Sequence, residues 1–181
     1  MYRPDALWGF SREWIVRTLY ILRHATAAAA GPEGDASRPL TPAGVREAEA
    51  IGRYMASAAL SIDALVSSSA VRARETAQAV LRGMGSAREA EFLSDLYNAS
   101  GPELLRWLQE REGQESKLLL VAHMPGVGEL LSLLTTEAHD LVLGFAPATL
   151  AMVVGEAHWA DWDYGRGSLQ LLLPAALVLG R

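Results

Sequence analysis

Two histidines and two arginines of this chain have the types and positions that phosphoryl chemistry requires. Arg23 and His24 directly follow the apolar run Leu-Tyr-Ile-Leu, and much later His123 follows the run Leu-Leu-Leu-Val-Ala. Between them, the segment Ser67–Arg72 begins with three serines. An arginine fork can bind two phosphoryl oxygens, and a neutral imidazole can attack phosphorus to form a covalent intermediate. The residues therefore predict a phosphoryl site with Arg23 and Arg72 as oxygen-binding groups. In this site His24 is the candidate nucleophile, and His123 can donate a hydrogen bond to the same oxygens.

Apolar and helical patterns alternate along the chain, which places these residues at strand ends. The predicted strands are Thr18–Leu22, Asp63–Ser67, Lys117–Ala122, Leu150–Gly155 and Leu169–Leu173. The predicted helices start at Thr41-Pro42, Val71, Gly101 and Gly126. This alternation indicates an α/β fold, a three-layer sandwich with a mostly parallel central sheet flanked by helices. Ligands of such sheets bind beyond the carboxyl ends of the strands, so we expect the three polar segments to meet at one edge.

The helix after Ser67–Arg72 carries a second arginine, and the spacing does not choose between the two. Arg72 and Arg74 lie about 200° apart around a helix, so both cannot face one small site. Arg72 is nearer the start of the helix, but the apolar face lies about equally far from each. Each feature alone also has an ordinary structural explanation, as a loop, a cap or a surface charge. Their combination, in this order and on these elements, favours the site.

Composition narrows the classes of function. The chain has 16 basic and 21 acidic residues, a net charge of −5, which argues against a broad nucleic-acid surface. It has no cysteine, which excludes disulfides, thiolate catalysis and cysteine metal ligands. Arg3, Arg12 and Arg17 interrupt the N-terminal stretch that a secretory signal would need, and we find no segment apolar and long enough to span a bilayer. We expect a cytoplasmic protein without a nucleic-acid or membrane partner.

Residues 1–17 differ in pattern from the rest of the chain, and we interpret them as an N-terminal extension. They carry Trp8, Phe10 and Trp14 among charged residues. The extension is expected to be a short helix or arm packed on the domain. A contact with a partner or with a second copy is the alternative.

Taken together, the motifs resemble the histidine phosphatase superfamily, which has a phosphoglycerate mutase-like fold, and specifically its SixA-type phosphohistidine phosphatase branch. The matching segments are, in chain order, Leu22–Ala25, Arg38–Gly44, Ser67–Ala77, Leu96–Tyr97 and Val121–Gly126. The resemblance implies a single histidine phosphatase domain over residues 18–181. It also implies neither a cofactor nor a metal ion.

The resemblance assigns roles to individual residues. It implies that His24 is the phosphorylated nucleophile, and that Arg23, Arg72 and His123 complete the phosphate pocket. It thus supplies the choice of Arg72 that the spacing leaves open. It also implies that Arg38 lies beside the pocket and binds substrate.

The chain departs from the family pattern at a few positions. Met124 stands where asparagine is common after the second histidine, and Ser69 stands where proline is common. We expect these changes to tune the site without inactivating it. The glutamate proton donor of other branches is also missing, and Asp95 is the carboxyl nearest in sequence to its place. An alkoxide leaves poorly without a donated proton, whereas imidazole is a far weaker base and depends less on a protein acid.

Three functions remain open from the sequence. The leading one is a phosphatase that hydrolyses phosphohistidine on a phosphorylated protein domain. The second is a general phosphomonoesterase of small phosphorylated metabolites, with Asp95 or Glu129 as a substitute acid. The third is a non-catalytic module that binds phosphate or a phosphoprotein, and it is suggested by Met124 in the loop of the second histidine.

Overall fold

The structure, a computed structural model, describes residues 15–111, 113–136 and 142–180. Nearly all of the predicted N-terminal extension therefore lies outside the described residues. Within them, six strands form one sheet: β1 (Arg17–Arg23), β2 (Ala64–Ser68), β3 (Glu91–Leu93), β4 (Lys117–Ala122), β5 (Thr149–Gly155) and β6 (Ser168–Pro174). Their order across the sheet is β3-β2-β4-β1-β5-β6. The first four of these are parallel neighbours, and β5 pairs antiparallel with both β1 and β6.

Helices cover both faces of the sheet. They are α1 (Pro42–Ser57), α2 (Val71–Met84), α3 (Gly101–Gln109), α4 (Gly126–Thr135) and the short α5 (Ala175–Val178). The start of α1 has the local chemistry of a capped helix, because the Thr41 hydroxyl accepts from the Gly44 amide and Pro42 occupies the first turn. Single-turn 3-10 helices lie at Asp35–Ser37, Ser94–Leu96 and Trp159–Asp161.

The two faces of the sheet bury separate hydrophobic clusters, which explains the unbroken apolar runs of the central strands. Leu19 and Ile21 of β1 belong to the cluster that includes residues of α3 and α4. Tyr20 and Leu22, which point to the opposite face, belong to the cluster with residues of α1 and α2. Each fully buried Leu or Ile side chain contributes about 1.5–3 kcal/mol. A strand buried on both faces must be apolar at every position, and this is the pattern that parallel sheets require.

The fold class predicted from the sequence, a mostly parallel sheet flanked by helices, is confirmed. The prediction missed β3, because three residues are too few to show a period. It also placed β2 one residue early, so that Ser68 belongs to the strand and not to the loop. Among the described residues, no helix is both long enough and apolar enough to cross a membrane.

Candidate phosphoryl-binding site

Three adjacent parallel strands bring the predicted site residues to one edge of the sheet. In the register of the sheet, Arg23 of β1 is opposite Ala122 of β4, and Ser67 of β2 is opposite Val121. The strands therefore end at the same level, and the next residue after β1, His24, lies beside His123. The two imidazole rings have their centroids 5.1 Å apart. Segments that are about a hundred residues apart in the chain thus form one site.

His24 is held in a single tautomer by the backbone of the next residue. Its Nδ1 lies 2.8 Å from the carbonyl oxygen of Ala25, which can only accept, so Nδ1 carries the proton and donates it. The neutral ring then has its lone pair on Nε2. This nitrogen accepts from Nε of Arg72 at 3.3 Å. The ring therefore presents an unprotonated nitrogen to the guanidinium group that is best placed to bind an oxyanion.

The Ala25 backbone, which orients the His24 ring, is itself attached to α2. The buried hydroxyl of Thr76 accepts from the Ala25 amide at 3.0 Å and donates to the carbonyl of Arg72 at 2.6 Å. One side chain therefore connects the loop after β1 to the helix that carries Arg72. This contact fixes His24 and Arg72 relative to each other.

Arg72 uses opposite sides of its guanidinium group for different partners. Its Nε faces His24, while Nη1 donates to the backbone oxygen of Asp35 at 2.7 Å and Nη2 donates to the Asp35 carboxylate at 3.0 Å. The Arg72 side chain is only 6% exposed. The guanidinium plane is consequently fixed with its Nε edge towards His24.

Asp35 lies at the centre of a polar network at the rim of the site. Its carboxylate accepts from Arg38 at 2.8 Å and from the Tyr97 hydroxyl at 2.8 Å, in addition to Arg72. The hydrogen bonds from Arg38 and Tyr97, together with Arg72, hold the pKa of this carboxyl well below its usual range. Asp35 is therefore a fixed anion, although half of its side chain is exposed to solvent.

His123 is buried and has one hydrogen-bond partner. Its Nε2 lies 2.8 Å from the Ser68 hydroxyl, which itself accepts from the Ala70 amide. The hydroxyl can donate to Nε2 while it accepts from the Ala70 amide, and in this arrangement the ring proton of His123 lies on Nδ1. One residue of the serine run, Ser68, is thus the partner of His123. The run does not cap the helix that follows it, because α2 begins without a side-chain cap.

Two buried nitrogens of the site have no hydrogen-bond partner among the described residues. They are Nδ1 of His123 and Nε of Arg23, whose Nη1 donates to the carbonyl of Phe145. Buried polar groups are paired in the great majority of cases, so such atoms need an explanation. Both can donate a hydrogen bond to an oxyanion that enters the site.

Burial and nearby positive charge keep both histidines neutral. Burial, followed by the charges of Arg72 and Arg23, lowers the pKa of His24 to about 4, against the opposing effect of its bond to Ala25. Burial, followed by repulsion from His24 when that ring is protonated and by the charge of Arg72, lowers the pKa of His123 to about 3. At neutral pH, Nε2 of His24 is therefore available as a nucleophile.

Comparison with known proteins identifies the family of the chain. The family model of the histidine phosphatase superfamily (branch 1) matches residues 19–100. A structure from Nakamurella multipartitia, provisionally named a phosphohistidine phosphatase SixA, is 31% identical and has a TM-score of 0.74. The alignment covers 88% of this chain and 96% of that chain. This chain belongs to the histidine phosphatase superfamily.

Further members are similar over most of their length. A structure from Agrobacterium tumefaciens with the same provisional name is 29% identical, with a TM-score of 0.72, over 87% of this chain and 97% of that one. An uncharacterised protein of Mycobacterium tuberculosis is 28% identical over 82% of this chain and 96% of its own. The superfamily and these neighbours make the protein a phosphatase.

Most of the residues predicted from the sequence lie together in the structure of this histidine phosphatase. His24, Arg72 and His123 are direct neighbours. Arg23 is the last residue of β1, immediately before His24, and Arg38 reaches the site through Asp35. The alternative to Arg72, Arg74, lies on the far side of α2 with its guanidinium over the ring of Phe92.

Asp35, Ser68 and Thr76 were not predicted as residues that support the site. Asp35 belongs to a long loop without periodicity, and the only sign of it in the sequence was the length of the loop itself, which is often functional. Ser68 looked like part of a capping sequence, and Thr76 looked like an ordinary helix residue. Their contacts are made across more than 35 positions of the chain, so the local sequence pattern does not reveal them.

Two carboxyls suggested as substitute acids point elsewhere. Asp95 is exposed and accepts from the hydroxyl of its neighbour Ser94. Glu129 of α4 accepts from the amide of Gly101 at the start of α3. Neither has a hydrogen bond to a residue of the site among the described residues.

Proposed function

We propose that this phosphatase hydrolyses phosphohistidine on a phosphorylated protein domain, through a covalent phosphohistidine intermediate at His24. The observation that carries the proposal is the pairing of an unprotonated Nε2 with a fixed guanidinium, while the carboxyl at the rim, Asp35, is kept ionised by its bonds from neighbouring donors and has no proton to give. The substrate that such a site favours has a leaving group that departs without help from a protein acid.

The reaction would proceed by two displacements. Nε2 of His24 attacks phosphorus while the substrate P–N bond breaks, and the leaving imidazole, already protonated on its other nitrogen, departs as the neutral ring. Water then attacks the phosphoryl group on His24, loses a proton to solvent, and releases inorganic phosphate with Nε2 restored. In both steps Arg72, Arg23 and His123 would stabilise charge on the equatorial oxygens.

The unpaired donors support this assignment. Nδ1 of His123 and Nε of Arg23 gain partners when a phosphoryl oxygen occupies the site, and the contacts that Arg72 makes with Asp35 leave its Nε edge facing the nucleophile. Preorganised donors of this kind cost no rearrangement when charge develops.

The positions of Asp95 and Glu129 weigh against the general phosphomonoesterase that relies on either as an acid. Each is engaged by a group outside the site, Ser94 and Gly101 respectively. Met124, the residue that suggested a non-catalytic module, packs its side chain against the hydrophobic cluster that includes residues of α3 and α4.

A side-by-side assay tests the proposal. A phosphohistidine-containing protein, a phosphoserine peptide and a sugar phosphate are compared at equal concentration with the wild type, His24→Ala and His158→Ala. His158 is an exposed histidine outside the site and serves as the matched control. We expect phosphohistidine to be turned over far faster than either ester, and loss of activity only in His24→Ala.

Two results would contradict the proposal separately. Equal or faster turnover of the sugar phosphate would refute the substrate class. Absence of an acid-labile phosphoryl group on residue 24 in rapidly quenched samples would refute the covalent step, whereas its presence excludes a purely binding module.

A further inference from the structure

The carboxylate of Asp35 is an anion placed at the rim of a site built to bind anions. In the described parts of the chain, Asp35 is the acidic partner in the ion pairs of both Arg72 and Arg38. A phosphate-binding site gains nothing in affinity from a negative charge beside its guanidinium groups. The charge orients Arg72, and beyond this it can act on another part of the substrate.

The loop holds Asp35 at this position through several contacts. The Ala28 amide donates to the carbonyl of Pro39 at 2.8 Å, and Nε of Arg38 donates to the carbonyl of Ala28 at 2.6 Å. On the far side of the loop, the Leu40 amide donates to the carboxylate of Glu75 on α2 at 2.6 Å. The loop that carries Asp35 is thus attached to the same helix that carries Arg72, and the position of its carboxylate does not depend on one ion pair.

Arg72 separates the Asp35 charge from the nucleophile. Its Nε edge faces Nε2 of His24, and its Nη1 and Nη2 atoms face Asp35. A phosphoryl group between His24 and Arg72 therefore leaves Asp35 at the solvent side of the guanidinium. Because displacement is in line, the leaving group points away from the half-buried His24 towards the mouth, where the Asp35 side chain is half exposed.

We propose that Asp35 is a specificity-determining residue, which favours leaving groups that carry positive charge and disfavours those that carry a carboxylate or a second phosphate. The protonated imidazole of phosphohistidine is such a cationic group, so in this respect the inference rests on the proposed function. The physical basis is that like charges at the rim of a site raise the cost of binding, and opposite charges lower it.

The test uses the isosteric variant Asp35→Asn and three phosphate esters that differ in the charge of the leaving alcohol. They are phosphocholine, which is cationic, glycerol 1-phosphate, which is neutral, and 3-phosphoglycerate, which is anionic. The readout is kcat/KM for each, or the calorimetric Kd of the same compounds where turnover is too slow. Glu33→Gln removes an exposed carboxylate from the same loop and is the matched control.

We expect Asp35→Asn to lower the ratio of kcat/KM for phosphocholine to kcat/KM for 3-phosphoglycerate by about tenfold, since one exposed charge changes each value by about threefold in opposite directions. The change should shrink at 0.5 M salt, and Glu33→Gln should leave the ratio within about twofold. If Asp35→Asn changes kcat/KM, or Kd, by the same factor for all three compounds, the proposal is overturned. Such a result would mean that Asp35 acts only through the orientation of Arg72.

A second pair of substrates distinguishes charge selection from proton donation. 4-Nitrophenyl phosphate and glycerol 1-phosphate both have uncharged leaving groups, but these differ strongly in basicity. We expect Asp35→Asn to change kcat/KM for both esters by the same factor. A loss confined to the glycerol ester would show that Asp35 is a general acid and would refute charge selection.

The two proposals can fail independently. A wild type that does not hydrolyse phosphohistidine, but whose ester or binding ratio responds to Asp35→Asn, refutes the proposed substrate and retains the role of Asp35. If the wild type prefers phosphohistidine but Asp35→Asn leaves the ratio of phosphocholine to 3-phosphoglycerate unchanged, the proposed substrate is retained and the role of Asp35 is refuted.

Discussion

Replacing Thr76 with valine removes the hydroxyl that connects the His24 loop to α2 and changes little else. Valine has nearly the same shape and a similar helix propensity. The Arg72 carbonyl keeps its α-helical backbone bond, so the principal loss is the partner of the Ala25 amide. A buried amide left without a partner costs about 1–3 kcal/mol. We therefore expect Thr76→Val to be about 2 kcal/mol less stable, which lowers the Tm by roughly 4–8 °C for a domain of this size.

We expect Thr76→Val to affect catalysis more strongly than overall stability. The Ala25 carbonyl fixes the His24 ring, so a shift of this backbone moves Nε2 away from Arg72. Misplacement on the order of 1 Å can cost 100-fold in rate, and we expect kcat to fall by at least about tenfold. Thr76→Ser is the matched control, because it keeps the hydroxyl and loses only a buried methyl group, worth about 0.8 kcal/mol.

Urea denaturation, amide hydrogen exchange and steady-state kinetics measure these effects. Exchange at Ala25 should accelerate in Thr76→Val beyond the change in global stability, and should follow global stability in Thr76→Ser. The reasoning is refuted if the two variants show the same Ala25 exchange and kcat, or if Thr76→Val is within about 0.5 kcal/mol of the wild type.

Three further predictions concern the site and its support. Arg72→Lys keeps the charge but loses the Nε–H that faces His24, so kcat should fall about 10²–10³-fold with a smaller change in KM, whereas an unchanged kcat would contradict the assignment. The imidazole nitrogen spectra of His24 and His123 should show neutral rings at about pH 5.5. The pKa values of His24 and His123 in the folded protein, about 4 and 3, lie below the unfolded value of 6.5. The two neutral rings therefore contribute their full stability above pH 6.5, and this contribution is lost as the pH falls towards 4 and below. Acid denaturation curves of the His24→Ala variant check this. Gly44→Ala, although it improves helix propensity by about 1 kcal/mol, should destabilise the protein, because its Cβ would overlap the carbonyl oxygen of Thr26; a raised urea midpoint would refute this interpretation.

The sequence was sufficient to predict which segments meet. The apolar runs before His24 and His123 are long enough to identify as strands, and parallel strands bring their carboxyl ends to one edge. Spacing could not choose between Arg72 and Arg74, and the resemblance to a family supplied that choice. In the structure Arg72 is turned towards His24, and Arg74 covers Phe92.

The residues that hold the site in place could not be predicted in the same way. Asp35 lies on a loop whose path is determined by contacts with Arg72, Arg38 and Tyr97, and these depend on the assembled fold. Thr76 has the same helical periodicity whether or not its hydroxyl is used. Hydrogen bonds between distant segments leave no period in the sequence, so the groups that make them become apparent only in three dimensions.

The hydrogen bond from Nδ1 of His24 to the Ala25 carbonyl leaves one ring nitrogen able to accept a phosphoryl group. A phosphoryl group carried by this residue is therefore the τ isomer of phosphohistidine, regardless of the isomer present in the substrate. Formation of the π isomer would require a ring flip that breaks the bond to Ala25 and turns the reactive nitrogen away from Arg72. Isomer-selective antibodies should therefore recognise the intermediate with τ-specific reagents and not with π-specific ones.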